Sequence, residues 1–247
     1  MHKINLFCFP YAGGSAALYH EWSELLDPSI RLIPVELAGR GRRISEPFYS
    51  DIDAAAEDSC RIIRLFSDGL PFALFGHSMG GLLAYLAARK METSYLAPAA
   101  HLFISGKGAP HLQTPGKRTV HTLPDDEFIL EVARLGGTPP EVLGSPEMLA
   151  FFLPLLRSDF RMAETCILPA DIRPVTAPVT VLTGEGDTLS AEQLEEWRLY
   201  THNGCTIRRF SGDHFFIREH VQTIAGLIRQ RLAVEPIFKF TSIHEQE

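Results

Sequence analysis

The stretch PFALFGHSMGGLLAYLAARK, residues 71–90, restricts the fold more than any other part of the chain. PFALF is an apolar run of strand length, GHSMGG crowds glycines around one serine, and GLLAYLAARK has helical period. A strand that turns so abruptly into a helix belongs to a layered α/β structure. The rest of the chain keeps the same alternation, with strand-like runs at Ile4–Phe9, Arg31–Glu36, Phe72–Phe75, Leu102–Ser105, Val179–Thr183 and Thr206–Phe210. Helical segments fall between them at about 16–26, 51–66, 79–91, 191–200 and 218–232. This order predicts an α/β fold with a doubly wound, mostly parallel sheet in one domain spanning residues 1–247.

One segment breaks the rhythm. About 70 residues separate Leu102–Ser105 from the next strand, where a single crossover helix needs far fewer. The interval from about 110 to 170 therefore reads as an insertion with helices at Asp125–Leu135 and Pro146–Leu156. Gly136, Gly137, Pro139 and Pro140 punctuate the two, which suits a movable cover or lid; a fixed helical subdomain is the alternative. The C-terminal EPIFKFTSIHEQE reads as a frayed tail.

Composition narrows the function classes. A formal charge of −7 disfavours general binding to nucleic acid or anionic membrane. No run approaches the roughly 18 to 20 apolar residues of a membrane helix, and MHKINLFCFP lacks the length of a signal peptide. Cys8, Cys60, Cys166 and Cys205 are scattered without CxxC spacing, which fits a cytoplasmic protein with reduced thiols. No cluster has metal-ligand spacing, so neither a metal nor a cofactor is expected.

GHSMG fits G-x-S-x-G, and its strand and helix flanks supply the context of a nucleophile elbow. Ser78 is then the candidate nucleophile, held above the sheet edge at a helix N-terminus. A serine hydroxyl needs a base to take its proton. His214, in SGDHFF after the last strand, has the best setting, whereas His77 points away from its neighbour and reads as packing or site lining. The acid that orients the base is best placed at Asp187, where VTVLTGEGD leaves a strand; Glu185 and Asp213 are competitors, and the position after the preceding strand, Ser105-Gly106-Lys107, has no carboxylate. The order Ser, Asp, His is the one this arrangement expects. Backbone N–H groups of Met79 and of Ala12, in FPYAGGSA, are the candidate oxyanion donors, with Tyr11 beside them as a substrate-contact candidate.

FPYAGG, GRGRR, FGHSMGG, LPDDEF, LGGTP, FFLPLLRSDFRM, GEGD and GDHFF occur in that order, and with them the chain resembles the type II thioesterases from about Leu6 to Leu232. LPDDEF, LGGTP and FFLPLLRSDF are the diagnostic parts, since GHSMGG is common to many hydrolases. The resemblance implies an α/β-hydrolase fold with a helical lid insertion. It further implies hydrolysis of acyl groups from the phosphopantetheine arm of acyl or peptidyl carrier proteins in nonribosomal peptide and polyketide synthesis. Stalled or wrong units are removed and intermediates sometimes released. A monomer working without cofactor is expected.

Met148, Leu149, Phe152, Leu153, Leu156, Phe160 and Met162 are candidate walls of an acyl pocket, with simple lid packing as the bland reading. Arg40, Arg42 and Arg43 are candidates for steering an acidic carrier protein, against a solvated loop built around Gly39 and Gly41. A general carboxylesterase, acyl-CoA thioesterase or acyltransferase would use the same triad. A noncatalytic carrier-binding protein is the competitor from another class.

Overall fold

The computed structural model describes residues 2–112, 119–166 and 172–233. The expected C-terminal tail lies outside them. Six strands form one sheet: β1 (Ile4–Phe9), β2 (Ile30–Pro34), β3 (Phe72–His77), β4 (His101–Ser105), β5 (Val179–Gly184) and β6 (Cys205–Phe210). All pairings are parallel and the spatial order is β2-β1-β3-β4-β5-β6. The direction of winding reverses at β1, so the loops after β1 and β3 meet at the C-terminal edge of the sheet. That is where an open parallel sheet places its ligands.

Strand residues alternate between two apolar layers because successive side chains leave opposite faces. Phe7, Phe9, Leu74, Leu102, Ile104 and Val181 pack on one face with α1 (Ile52–Phe66) and α2 (Met79–Tyr95). Leu6, Cys8, Ala73, Phe75 and Phe103 pack on the other with Tyr19, Trp22 and the last helix. Asp51 Oδ1 accepts from the Ala54 N–H at 2.8 Å and caps α1.

Between β4 and β5 lie α3 (Asp125–Leu135), α4 (Pro140–Leu143) and α5 (Pro146–Glu164). Beyond β5 come α6 (Ala191–Glu195) and, after β6, α7 (Val221–Leu232). α5 continues eight residues past the expected Leu156. Its internal Pro154 is on the exposed side of the helix, where the carbonyl it leaves unpaired is reached by water.

Three other segments differ from the expected helices. Ala16–Glu24 is a 3-10 helix, which brings Tyr19 and Trp22, three residues apart, onto the same side; their rings meet edge-on at 5.3 Å in the core. Residues 191–200 divide into α6 and a 3-10 turn, Glu196–Tyr200, that buries Trp197 and Tyr200. The segment expected from 218 begins at Val221, because Phe216–Arg218 forms its own 3-10 turn with Phe216 buried against the sheet. Among the described residues no helix is long and apolar enough to cross a membrane.

Candidate active site

β3 ends at His77, Ser78 is the turn, and α2 starts at Met79. Ser78 has φ 55° and ψ −117°, a conformation that costs a non-glycine residue about 1 to 3 kcal/mol. The backbone around it leaves no room for side chains. A Cβ on Gly76 would lie 1.9 Å from the Gly80 carbonyl oxygen, and one on Gly80 would lie 2.2 Å from that of Phe9. The Ser78 N–H donates to the Ser105 carbonyl at 2.7 Å, tying the turn to the end of β4. Strain and crowding together present the side chain at the sheet edge.

Two loops bring Asp187 and His214 together. The Glu185 N–H donates to the Phe210 carbonyl, and the Gly186 N–H to that of Gly212, both at 2.8 Å. These bonds set the loop after β5 beside the loop after β6. Asp187 Oδ2 lies 2.8 Å from His214 Nδ1, and the Asp187 side chain is only 3% exposed. An Nδ1–H held by this carboxylate leaves Nε2 as the proton acceptor. Of the competing acids, Glu185 and Asp213 are exposed, and Asp213 Oδ1 accepts from the Phe215 N–H.

Ser78, Met79, Tyr11, Ala12, Asp187 and His214 line one cavity of about 560 Å3. Met79 opens α2, so its N–H has no acceptor within the helix, and the residue lines the cavity. Among the described residues the Ser78 hydroxyl makes no hydrogen bond in this state; in unliganded enzymes such contacts commonly tighten when substrate binds.

His77 is wholly buried, with its ring 5.0 Å from that of His214 and its Nδ1 2.9 Å from Ser105 Oγ. Burial holds it well below the usual histidine range, and the charges of His214 and Arg218 push the same way. It stays neutral and packs beneath His214, in line with the packing reading.

The roof comes from the segment between β4 and β5. Val132 and Leu135 of α3 and Leu156 and Phe160 of α5 line the cavity. Met148 and Phe152, expected as pocket walls, do not line it: Met148 is exposed, and Phe152 packs against the small cluster of Phe128, Val132 and Leu156. The reason is position along the helix: Met148 and Phe152 lie in the first half of α5, whereas the site meets its second half, where Leu156 and Phe160 of the same expected set line the cavity. Met162 belongs to the main core.

The arginine cluster is also corrected. Arg40 is buried and forms a two-pronged ion pair with Asp159, with both contacts at 2.7 Å. Arg43 pairs with Asp58 at 2.6 Å and Glu46 at 2.5 Å. Neither is available to steer a partner, which leaves only Arg42 exposed.

Two contacts went unread in the sequence. Arg218 Nη2 donates to Tyr11 Oη at 2.8 Å and to the Gly137 carbonyl at 2.7 Å, and its guanidinium stands over Phe215. It clasps the loop after α3 to the loop after β1. Asp159 did have a signal: it shares the buried side of α5 with Leu155 and Met162, and a carboxylate there requires a cation.

The chain matches the Thioesterase domain family over residues 4–232. It is 35% identical over 240 residues to linear gramicidin dehydrogenase LgrE of Brevibacillus parabrevis, covering 93% of this chain and 88% of the relative. Among solved structures, ClbQ from the colibactin NRPS/PKS pathway superposes with a TM-score of 0.88 at 33% identity, covering 94% of this chain and 97% of that one. The type II thioesterase BorB from the borrelidin biosynthetic cluster superposes with a TM-score of 0.82 at 35% identity, covering 92% of each chain. With this sheet, this elbow and these matches over nearly its whole length, the chain belongs to the thioesterase family, hydrolases acting on thioesters, built here on an α/β-hydrolase fold.

Proposed function

We propose that this protein is a type II thioesterase that hydrolyses acyl groups from the phosphopantetheine arm of carrier proteins in nonribosomal peptide or polyketide synthesis. The observation that carries the chemistry is the 2.8 Å His214–Asp187 pair opening onto the same cavity as Ser78 and the N–H groups of Ala12 and Met79. Ser78 Oγ attacks the thioester carbonyl carbon while His214 Nε2 takes its proton. The oxyanion accepts from Met79 and Ala12, and Asp187 stabilises the imidazolium. Collapse expels the pantetheine sulfur, which leaves as the thiol with the proton from His214. Water, deprotonated by His214, then attacks the acyl-Ser78 ester; collapse returns the proton to Ser78 and frees the acid.

The carrier substrate is supported by the pathways named for ClbQ and BorB. The name of LgrE denotes another reaction, and the hydrolytic reading rests on this chain's own residues. A volume of about 560 Å3 falls within the usual range of small-molecule sites. The helical roof is a lid inserted in the single domain, and it opens to admit the arm. The protein acts as a cytoplasmic monomer, a location that suits its four unpaired cysteines.

Intact mass spectrometry of several acylated carrier proteins, after exposure to wild type and Ser78→Ala, tests substrate and mechanism together. Wild type is expected to remove the acyl mass and the variant to leave it. Equal turnover of acyl-CoA or a simple ester would make the protein a general hydrolase. Absence of both turnover and serine-directed phosphonate labelling in folded wild type would make it a carrier-binding protein.

A further inference from the structure

The oxyanion loop does not hold itself. Tyr11, Ala12, Gly13 and Gly14 form a tight turn closed by the Gly14 N–H to Tyr11 carbonyl bond at 2.9 Å. Its outer side is bound by two charged side chains from elsewhere in the chain. Asp159 Oδ2, on α5, accepts the Gly13 N–H at 2.8 Å. Arg40 Nη1, from the loop after β2, donates to the Gly14 carbonyl at 3.0 Å and to Asp159 Oδ2, while Nη2 reaches Asp159 Oδ1. The peptide groups immediately after Ala12 are thus fixed by one buried, two-pronged ion pair.

We propose that Arg40 and Asp159 are positioning residues for the oxyanion hole: their ion pair fixes the loop that carries the Ala12 N–H, and does so only when α5 is docked on the core. This rests on the Ser78 reading above and deepens it. Stability alone is a poor explanation for the pair, because a buried ion pair can often be replaced by apolar residues without loss. Burial here also leaves Arg40 Nε without a partner among the described residues. What the pair provides is direction. Its free acceptor and donor capacity is aimed at the Gly13 N–H and the Gly14 carbonyl and so fixes the orientation of that strand of backbone.

α5 reinforces the same point through Leu156, which packs where a side chain on Gly13 would stand, 2.4 Å from its Cβ position. The roof helix and the oxyanion loop therefore share one contact surface, apolar at Leu156 and ionic at Asp159. A helix that lifts away releases the Gly13 N–H and loosens the donor beside it. The site is then competent only when the roof is closed over it.

The test is Arg40→Met/Asp159→Leu, which puts apolar side chains at both positions and removes both charges together. With the best carrier-bound substrate, kcat is expected to fall roughly 10- to 100-fold, since a displacement near 1 Å in a catalytic group has effects of that order. KM is expected within about threefold of wild type, because the loop stabilises charge that develops only in the transition state. Inhibition by a trifluoromethyl ketone, whose adduct on Ser78 places an oxyanion in the hole, weakens by the same factor as kcat. Thermal melting and the fraction of protein titrated by a phosphonate are measured alongside.

If the double variant folds poorly, Arg40→Lys keeps the charge but not the two-pronged contact and is expected to move kcat and ketone affinity together by a smaller factor. Unchanged kcat in folded protein overturns the proposal. So does a loss of kcat with ketone affinity intact, or one wholly accounted for by a smaller active fraction. Ser78→Ala, run in parallel, keeps the two readings apart: if it retains turnover the triad reading fails, whatever the Arg40 and Asp159 variants do.

Discussion

The floor and the roof of the cavity are held by different forces. The floor is backbone: parallel strands, a strained turn at Ser78, and glycines at 76 and 80 where a Cβ would meet main-chain atoms. The roof is side chain: Arg157 of α5 donates to the carbonyls of His121 and Leu123 and pairs with Asp125, Arg218 clasps Gly137, and Arg40 grips Asp159. These roof contacts are unequal. Asp125 is 69% exposed, so its ion pair is worth a fraction of a kcal/mol, whereas the Arg40–Asp159 pair is almost completely buried. Ser78 is therefore fixed with the fold itself. The roof is anchored at the second half of α5 and tethered more weakly at α3.

The sharpest way to break the contrast is to crowd the floor. Gly80→Ala places a methyl group 2.2 Å from the Phe9 carbonyl oxygen, with backbone on both sides and no flexible side chain to yield. The expected outcome is a loss of more than about 3 kcal/mol of stability, or no folded protein, read by thermal melting and soluble yield. One step smaller is Asp187→Asn, which keeps the fold but presents an amide to His214 Nδ1 and favours the wrong tautomer. A fall in kcat of about 10³- to 10⁴-fold with little change in KM is expected, measured on a carrier-bound thioester. Glu185→Gln in the same loop is expected to leave kcat unchanged, since Glu185 faces solvent.

The roof yields smaller effects. Arg218→Met removes the donors to Tyr11 Oη and to the Gly136 and Gly137 carbonyls while keeping an unbranched chain over Phe215. Melting is expected to change by a few degrees only. Steady-state kinetics should show KM raised about tenfold, because the loop that completes the cavity wall at Gly137 and Thr138 is left with the long 3.4 Å bond from Tyr11 Oη to the Gly137 carbonyl. A Gly80-sized loss of folding from Arg218→Met would dissolve the distinction between floor and roof.

The same distinction explains what was legible in the sequence. Strand–turn–helix order, the sheet, and the positions of Ser78, Asp187 and His214 at strand ends depend on local pattern, and local pattern is written in consecutive residues. The roof depends on pairs far apart in the chain. Arg40 and Asp159 lie 119 residues apart, and Tyr11 and Arg218 lie 207 apart; nothing in GRGRR says which arginine turns inward. Reading that cluster as a surface patch followed from its composition, and burial of one member decided otherwise. Met148 and Phe152 were misplaced for a related reason: their apolar character was plain, as was that of Leu156 and Phe160, but how far along α5 the helix crosses the site determined which of them meet the cavity.

The smallest predicted effect also separates floor from roof, through pH. His101 opens β4 with its Nε2 2.9 Å from Thr180 Oγ1 and its ring against Phe103. Burial pushes its pKa down to about 4, and the charge of Arg231 acts in the same direction. In the unfolded chain it titrates near 6.5, so below that pH the unfolded state takes up a proton that the folded state refuses. Stability is therefore complete above 6.5 and is lost as pH falls, until the folded protein also binds the proton near 4. His101→Phe removes this contribution. It leaves the Thr180 hydroxyl without a partner, but that cost is the same at every pH, so the slope is the informative quantity. Urea denaturation at pH 7.5 and 5.5 is expected to show wild type losing about 1 kcal/mol more than the variant over that interval. Equal losses in the two proteins would mean that the acid sensitivity lies elsewhere, with His77, held neutral in the same way beneath His214, as the next residue of the floor to replace.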